Sequence, residues 1–338
     1  MGCMDHWHPV LPVNKLRQQP VAVSLNGKSL VLFRTGEGHI GVLDDQCPHR
    51  RMKLSKGKVT GDCLQCPYHG WTFTCQGKGQ SPGTPKLYAQ VPHYDAMEKF
   101  GVIWVKSAHS FPEFPDFDVK GYYHLATLHH SRVRAPLETT LDNFTEIEHT
   151  ATTHALFGYE LNRMQDVNVQ VLPTKTTTRV VNIGPPKRLP WWDRLLLGIG
   201  KDWQFHDDWT SFFSPVYSVF DHWWTNPANG KESKVRWRIY IFFVPDDAEH
   251  TSLMTFIFTK SAYPGPAGGI RLFRGKIRRM MKHEIDLDIR TIENLADNSP
   301  HLEGMKLSRF DRVLGLNRER IERVYRGQNS RQSLVVSQ

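Results

Sequence analysis

Cys47-Pro48-His49-Arg50 and Cys66-Pro67-Tyr68-His69-Gly70-Trp71, with 16 residues between His49 and Cys66, decide how this chain is read. Each stretch supplies one thiolate and one imidazole. Two short loops on a β scaffold can clamp a diamond-shaped [2Fe–2S] cluster from both sides, with two His replacing two Cys on one of its irons. A structural zinc would accept the same four side chains. Zinc fingers, however, place a Cys pair first and a His pair later. Here the order alternates, and a Pro follows each Cys, so the pattern points to the cluster. Cys63 makes a C-x-x-C with Cys66, but a ligand cannot also be a disulfide partner. Cys3, Cys63 and Cys75 read as small packing residues.

Around these loops the chain is strand-like. Val21–Leu25 and Leu30–Arg34 flank Asn26-Gly27 and read as a hairpin. Residues 40–43 and 101–105 read as further strands, and Pro82, Gly83 and Pro85 punctuate the stretch. The connector Phe111-Pro-Glu-Phe-Pro115 is the expected boundary between an all-β domain (1–110) and a second domain (111–338). In the second half, Leu141–Phe157 has helical character. Residues 167–172, 176–183, 209–220, 235–244 and 251–258 look like strands, Ile270–Leu295 like one or two helices, and Leu316–Arg326 like a last polar segment. The expected class is α+β, with a helix packed on a curved antiparallel sheet.

The second half also carries Leu141-Asp142-Asn143-Phe-Thr-Glu146-Ile-Glu-His149-Thr-Ala-Thr-Thr-His154. Its two His are five positions apart, not the four of a zinc-protease helix. On an ideal helix five residues turn ~500°, which leaves the imidazoles roughly 140° apart. They can share a metal only if the helix ends or bulges between them. Two His and one carboxylate on one face leave open positions for dioxygen on an iron. The carboxylate should come from the late helix, where Asp286 and Asp288 compete. Ile285, Ile289, Ile292 and Ala296 follow a buried 3, 4 spacing. Asp288 is ~400° from Ile292 and close to that stripe, with Leu295 reinforcing the same side, whereas Asp286 is ~600° away. Asp288 is therefore the expected ligand.

The 338 residues suit two domains, and an excess of nine cations (43 Lys+Arg against 34 Asp+Glu) is unevenly spread. Six cations fall within Arg271–Lys282. They fit a solvated helix face, a dock for an acidic electron donor, or a nucleic-acid or lipid surface, and nothing else resembles a groove-reading module. The insert Pro185–Gly200, with Trp191 and Trp192, fits a lid, a membrane-touching turn or a subunit contact. No apolar run reaches the ~20 residues of a membrane span, and the N-terminus lacks the layout of a signal peptide. Five Cys are too few for a disulfide framework, so the expected compartment is the cytoplasm.

Taken together, these motifs resemble the Rieske non-haem iron oxygenases, and within them the short monooxygenase-type α-subunits such as vanillate and dicamba O-demethylases and purine N-demethylases. Trp7-His8-Pro9-Val10 matches the family's opening, and Asp288-Ile-Arg-Thr-Ile-Glu293 its C-terminal Asp-x-x-x-x-Glu signature. The resemblance implies a Rieske β-domain followed by a helix-grip (START-like) catalytic domain. Cys47, His49, Cys66 and His69 would hold the [2Fe–2S] cluster, and His149, His154 and Asp288 a mononuclear Fe(II). It further implies a head-to-tail homotrimer in which His69 of one chain faces Glu146 of the next, Glu146 also holding His149. The family usually has Asp at that bridge, and Glu146 adds a methylene and a rotor. Asn143 is a candidate pocket residue, or a capping or packing residue. Electrons would come from NAD(P)H through a separate flavin reductase or ferredoxin, because the chain carries no G-x-G-x-x-G fingerprint. The expected reaction is hydroxylation or oxidative O- or N-demethylation of a small apolar or aromatic substrate, with no nucleic-acid partner. Two rivals remain open: an electron carrier with a non-catalytic second domain, and a hydrophobic-ligand module with structural zinc.

Overall fold

The computed structural model describes residues 2–264 and 266–328. It divides into two compact units: residues Met1–Pro115 with Val244–Glu249, and Asp116–Phe243 with His250–Gln338.

The first unit is built from short strands: β1 (His8–Pro12), β2 (Val21–Leu25), β3 (Lys28–Arg34), β4 (Ile40–Asp44), β5 (Lys58–Thr60), β6 (Cys63–Gln65), β7 (Thr72–Phe73), β8 (Lys78–Gln80), β9 (Ala89–Gln90), β10 (Tyr94–Lys99) and β11 (Val102–Ser107). They form three sheets, ordered β1-β11-β10, β2-β3-β4 and β5-β6-β7-β8-β9. The expected Asn26-Gly27 hairpin is present. Both turn residues have positive φ, 51° and 76°, as a two-residue turn matched to strand twist requires. Its N–H groups donate to the carbonyls of Pro245 and Asp246, which belong to this unit although they lie more than 200 residues downstream. Phe33 explains Gly41 opposite it: a Cβ there would sit 2.3 Å from the Phe33 ring. The core joins Val31, Phe33, Leu43, Leu54, Leu64, Phe73 and Val91 to Cys47, Cys66 and Trp71. Both Cys therefore sit at the inner ends of their loops.

The second unit carries a seven-stranded sheet: β12 (Tyr123–Val133), β13 (Asn168–Pro173), β14 (Thr177–Gly184), β15 (Gln204–Phe213), β16 (Val216–Thr225), β17 (Val235–Pro245, its last two residues counted with the first unit) and β18 (Thr251–Ser261). Its order is β12-β18-β17-β16-β15-β14-β13. Among the described residues five α-helices accompany it: α1 (Leu137–Phe144), α2 (Thr150–Thr153), α3 (Trp191–Leu197), α4 (Arg274–Glu293) and α5 (Val313–Arg320). The class is α+β, as expected. Residues 209–220 are not one strand. They contain the turn of the β15–β16 hairpin, because Pro215 cannot continue a ladder donor row. β12 is a strand that the alternation did not reveal; its pairing with β18 shifts register twice, which breaks the period of two. The late helix starts at Arg274 after a 3-10 stretch, Pro266–Phe273, and stops at Glu293. Ala296 and Leu295, used above to phase it, lie past its end and are exposed.

On one face of the sheet Asp207 stands opposite His222 and Trp209 opposite Phe220, while Phe220 and His222 in turn meet Ile239 and Trp237. Met281, Glu284, Ile285 and Asp288 of α4 line one cavity with Asp207, Trp209, Phe220, His222, Ile239 and Ile241. The helix thus lies over an aromatic, mostly apolar floor.

A partly buried pair anchors α1. Arg318 of α5 donates to Asp142 at 2.8 Å, with a second nitrogen 2.6 Å from the other carboxylate oxygen. Burial nevertheless pushes the Asp142 carboxyl up to about 6, the Arg318 hydrogen bond opposing it. Arg318→Met should cost about 3 kcal/mol by leaving a buried carboxylate unpaired, lowering Tm by roughly 6–12 °C at pH 7. Because Asp142 can escape the penalty by taking a proton, and losing Arg318 raises its carboxyl further, the deficit should shrink as pH falls toward about 6 and stay small below it. Paired thermal melts at pH 7.5 and 5.5 check this.

Candidate metal centres

The two cysteine loops share one backbone design. Cys47 N–H donates to Met52 C=O (2.8 Å) and Arg51 N–H returns to Cys47 C=O (2.9 Å). Cys66 N–H donates to Trp71 C=O (2.7 Å) and Gly70 N–H returns to Cys66 C=O (3.1 Å). The residue four after each Cys is left-handed: Arg51 at φ 58° and Gly70 at φ 71°. Gly suits that region, and Arg tolerates it only where the surroundings impose it.

This design turns the thiols inward and the imidazoles outward. Cys47 and Cys66 are buried, and His49 and His69 are exposed. The two imidazoles meet edge to face at 4.4 Å, and His49 stacks on Trp71 at 5.0 Å. Burial, with Cys66 beside it, pushes the Cys47 thiol up to about 11. A buried thiol that is costly to ionise by itself suits a cationic iron pair. The four residues fit a [2Fe–2S] cluster with its His-bound iron toward solvent.

In the second unit the expected helix across 141–157 is broken. α1 ends at Phe144, and the single turn α2 has His149 before it and His154 after it. His154 is already extended, at φ −80° and ψ 150°. Ending the helix there removes the angular mismatch, and the two Nε2 atoms lie 3.1 Å apart. Asp288 Oδ1 lies 3.2 Å from each. The donor atoms of these three residues all fall within 4.8 Å of one another. Asp288 is only 4 % exposed. Asp286 points elsewhere and pairs with Lys282 at 2.7 Å.

The far side of each donor is also held. Glu146 contacts His149 Nδ1 through one oxygen, while its other oxygen accepts from the His149 N–H (3.3 Å) and the Glu148 N–H (2.5 Å). Glu284 lies 2.9 Å from His154 Nδ1 and accepts from Ala155 N–H at 3.2 Å. Asn143 donates to Asp288 Oδ1 at 2.9 Å, so it sits beside the carboxylate. Lys187 donates to the His154 carbonyl. Sequence reasoning missed Glu284 and Lys187. Glu284 lies four residues before Asp288, on the same helix face, and that spacing was available as a signal.

Electrostatics follow the geometry. Burial disfavours a protonated His149, yet hydrogen bonds with Asp288 and Glu146 outweigh it and lift the imidazole to about 10. Burial likewise opposes, and Asp288 and Glu284 reverse, the shift of His154 to about 9. Asp288 is held below the ordinary carboxylate range against its own burial, because both imidazoles hydrogen-bond to it. The cluster thus favours positive charge at its centre, which a divalent cation can supply in place of protons. Phe144, Phe157, Trp209, Phe220, Ile239 and Ile241 line the space beside it. Two His, one carboxylate and an apolar open side fit a mononuclear iron. A larger cavity of ≈ 790 Å³, lined by Arg163, Lys187, Arg188 and Trp203 among others, contains none of the three donors.

Comparison with known proteins agrees. The Rieske [2Fe-2S] domain matches residues 6–95. The methylxanthine N1-demethylase NdmA of Pseudomonas putida is 34 % identical over 163 residues, covering 44 % of this chain and 46 % of the relative. The oxygenase subunit of 3-chlorobenzoate-3,4-dioxygenase from Comamonas testosteroni is 36 % identical over 125 residues, 34 % of this chain and 29 % of the relative. The chain thus spans less than half the length of these curated relatives. The fold extends further. Dicamba monooxygenase bound to dicamba superposes with a TM-score of 0.74 at 16 % identity, covering 95 % of this chain and 97 % of that one. NdmA with caffeine gives 0.69 at 22 %, covering 94 % and 89 %. The chain thus carries a Rieske [2Fe-2S] domain over residues 6–95, shares the fold of dicamba monooxygenase and NdmA, and brings together in His149, His154 and Asp288 a donor set that fits a mononuclear iron.

Proposed function

We propose that the chain is a terminal oxygenase that uses dioxygen and electrons from a partner protein to hydroxylate, or oxidatively demethylate, a small apolar or aromatic substrate. The carrying observation is the convergence of His149, His154 and Asp288 beside an apolar cavity, in a chain that also bears a Rieske domain. Cys47, His49, Cys66 and His69 would hold the cluster, and His149, His154 and Asp288 the iron. Bound there, the iron supplies the site at which dioxygen is activated. The chain's own residues do the rest: Glu146 and Glu284 orient the imidazoles, Asn143 fixes the carboxylate, and the aromatic lining seats the substrate and keeps bulk water out.

Electrons would arrive from a separate NAD(P)H-dependent flavin reductase or ferredoxin. Six exposed cations between Arg271 and Lys282 suit an acidic one. No helix among the described residues is long and apolar enough to cross a membrane. Cys47, Cys63, Cys66 and Cys75 are free thiols, which suits the cytoplasm. Exposed His69 is available to a neighbouring copy, and a homotrimer pairing it with Glu146 is the assembly we propose. Substrate-dependent oxygen uptake with reductase and NADH, followed over a panel of methylated aromatics and purines, tests the function. A protein that accepts electrons at its cluster yet shows no coupled uptake with any panel member would instead be an electron carrier.

Glu146→Gln should keep both metal centres and lower turnover about 10–100-fold, the scale of losing a carboxylate that orients a metal-bound imidazole. Metal analysis beside steady-state rates checks this. Full activity in the variant, or in a monomer at assay concentration, would sink the bridge.

A further inference from the structure

The floor under α4 contains one polar pair that neither metal centre uses. Asp207 of β15 and His222 of β16 are direct cross-strand neighbours, each 7 % exposed. Their side chains meet through His222 Nε2 and Asp207 Oδ1 at 3.0 Å. The imidazole is wedged between aromatic rings, with centroids 4.6 Å from Phe157 and 5.6 Å from Phe205. Both residues line the same cavity as His149, His154 and Asp288.

An apolar floor has no reason of its own to hold an Asp–His pair, since burying polar groups costs free energy unless they are satisfied. This pair is only partly satisfied. His222 Nδ1 is buried with no hydrogen-bond partner among the described residues. The nearby Trp209 Nε1, on the same cavity wall, is also buried without an acceptor. The carboxylate can only accept, so in the neutral ring it fixes the proton on Nε2 and leaves Nδ1 as a lone-pair acceptor. Trp209 Nε1–H can only donate.

Resting on the oxygenase reading above, we propose that His222 is a specificity-determining residue that selects substrates carrying a hydrogen-bond donor, a hydroxyl or a ring N–H, on the edge turned toward β15 and β16. Nδ1 accepts that donor, and a hydroxyl can also accept from Trp209. The Asp207 carboxylate is a positioning residue that sets the tautomer. An analogue without the donor leaves Nδ1 unpaired in a dry pocket, and a site built this way rejects such analogues more strongly than one that only measures size.

The test is calorimetric binding to the oxidised holoprotein under anaerobic conditions without reductant, using matched probes: 4-methoxyphenol against 1,4-dimethoxybenzene, and indole against 1-methylindole. At least one donor-bearing probe should bind about tenfold more tightly than its methylated partner. His222→Leu should erase the preference while keeping the cluster spectrum and iron content. Should that variant fail to fold, Asp207→Asn serves, because an amide N–H can donate to Nε2 and move the ring proton to Nδ1; the preference should then fall severalfold or invert. No binding by either donor-bearing probe, equal affinity within both pairs, or a preference that survives in the variants overturns the proposal. No turnover enters the measurement, so the two readings fail separately. Selective binding without oxygenation would defeat the oxygenase reading, and oxygenation without selectivity would defeat this one.

Discussion

Asp288→Ala should leave the Rieske spectrum intact and empty the mononuclear site, with iron affinity there falling more than about 100-fold and oxygenation falling to background. The magnitude follows because partners that merely orient a ligand are worth 10–100-fold, and Asp288 faces the centre itself, 3.2 Å from both imidazoles. It also removes the counter-charge that holds His149 and His154 protonated when no metal is bound. Asp286→Ala is the control two residues away. Its side chain engages Lys282 on the solvent side, an exposed pair worth well under about 1 kcal/mol, so iron content and activity should stay within a factor of about two of wild type. Iron analysis of the two variants after identical reconstitution checks this, and the reverse pattern would show that the other carboxylate is the ligand.

Cys66→Ser should abolish the Rieske signal and all donor-driven turnover while the mononuclear site still takes up iron. The loop cannot adapt easily. Its Cys N–H and C=O are already committed to Trp71 and Gly70, and the thiol is packed into the core with Leu64, Phe73 and Cys47. Losing the cluster should also destabilise the first unit, since metal binding free energy becomes folding free energy where ligands come from separate loops. The second unit, with its own core, should keep its iron. Electron paramagnetic resonance and metal analysis of one sample separate these effects. A variant that keeps the Rieske signal would remove Cys66 from the ligand set.

How much of this was legible in the sequence differs between the two centres. The cluster loops could be read because the candidate Cys and His of each lie only two or three positions apart, so local spacing carries the chemistry. The mononuclear site was half legible. The five-residue gap between His149 and His154 required the helix to end or bulge, and it ends at His154. Asp288 was selected by helical phase, but part of that reasoning failed: Leu295 and Ala296 lie beyond the end of α4 and are exposed, so only Ile285 and Ile292 of the buried face carried the choice. Glu284, Asp207 and His222 were not found. Their roles arise where α4, β15 and β16 meet over one cavity, and no local period announces which members of an aromatic-rich strand will face it. The single strand expected over 209–220 hid the hairpin whose register sets Asp207 against His222.

One measurement tests most directly whether two unlike metal centres share this chain: iron, zinc and acid-labile sulfide analysis of the reconstituted protein, with an electron paramagnetic resonance spectrum after reduction. The expected result is about three irons and about two sulfides per chain, negligible zinc, and the low-average-g signal of a His-ligated cluster, with about one iron lost selectively in Asp288→Ala. Zinc at Cys47, His49, Cys66 and His69 with no such signal, or iron confined to the cluster, would contradict it.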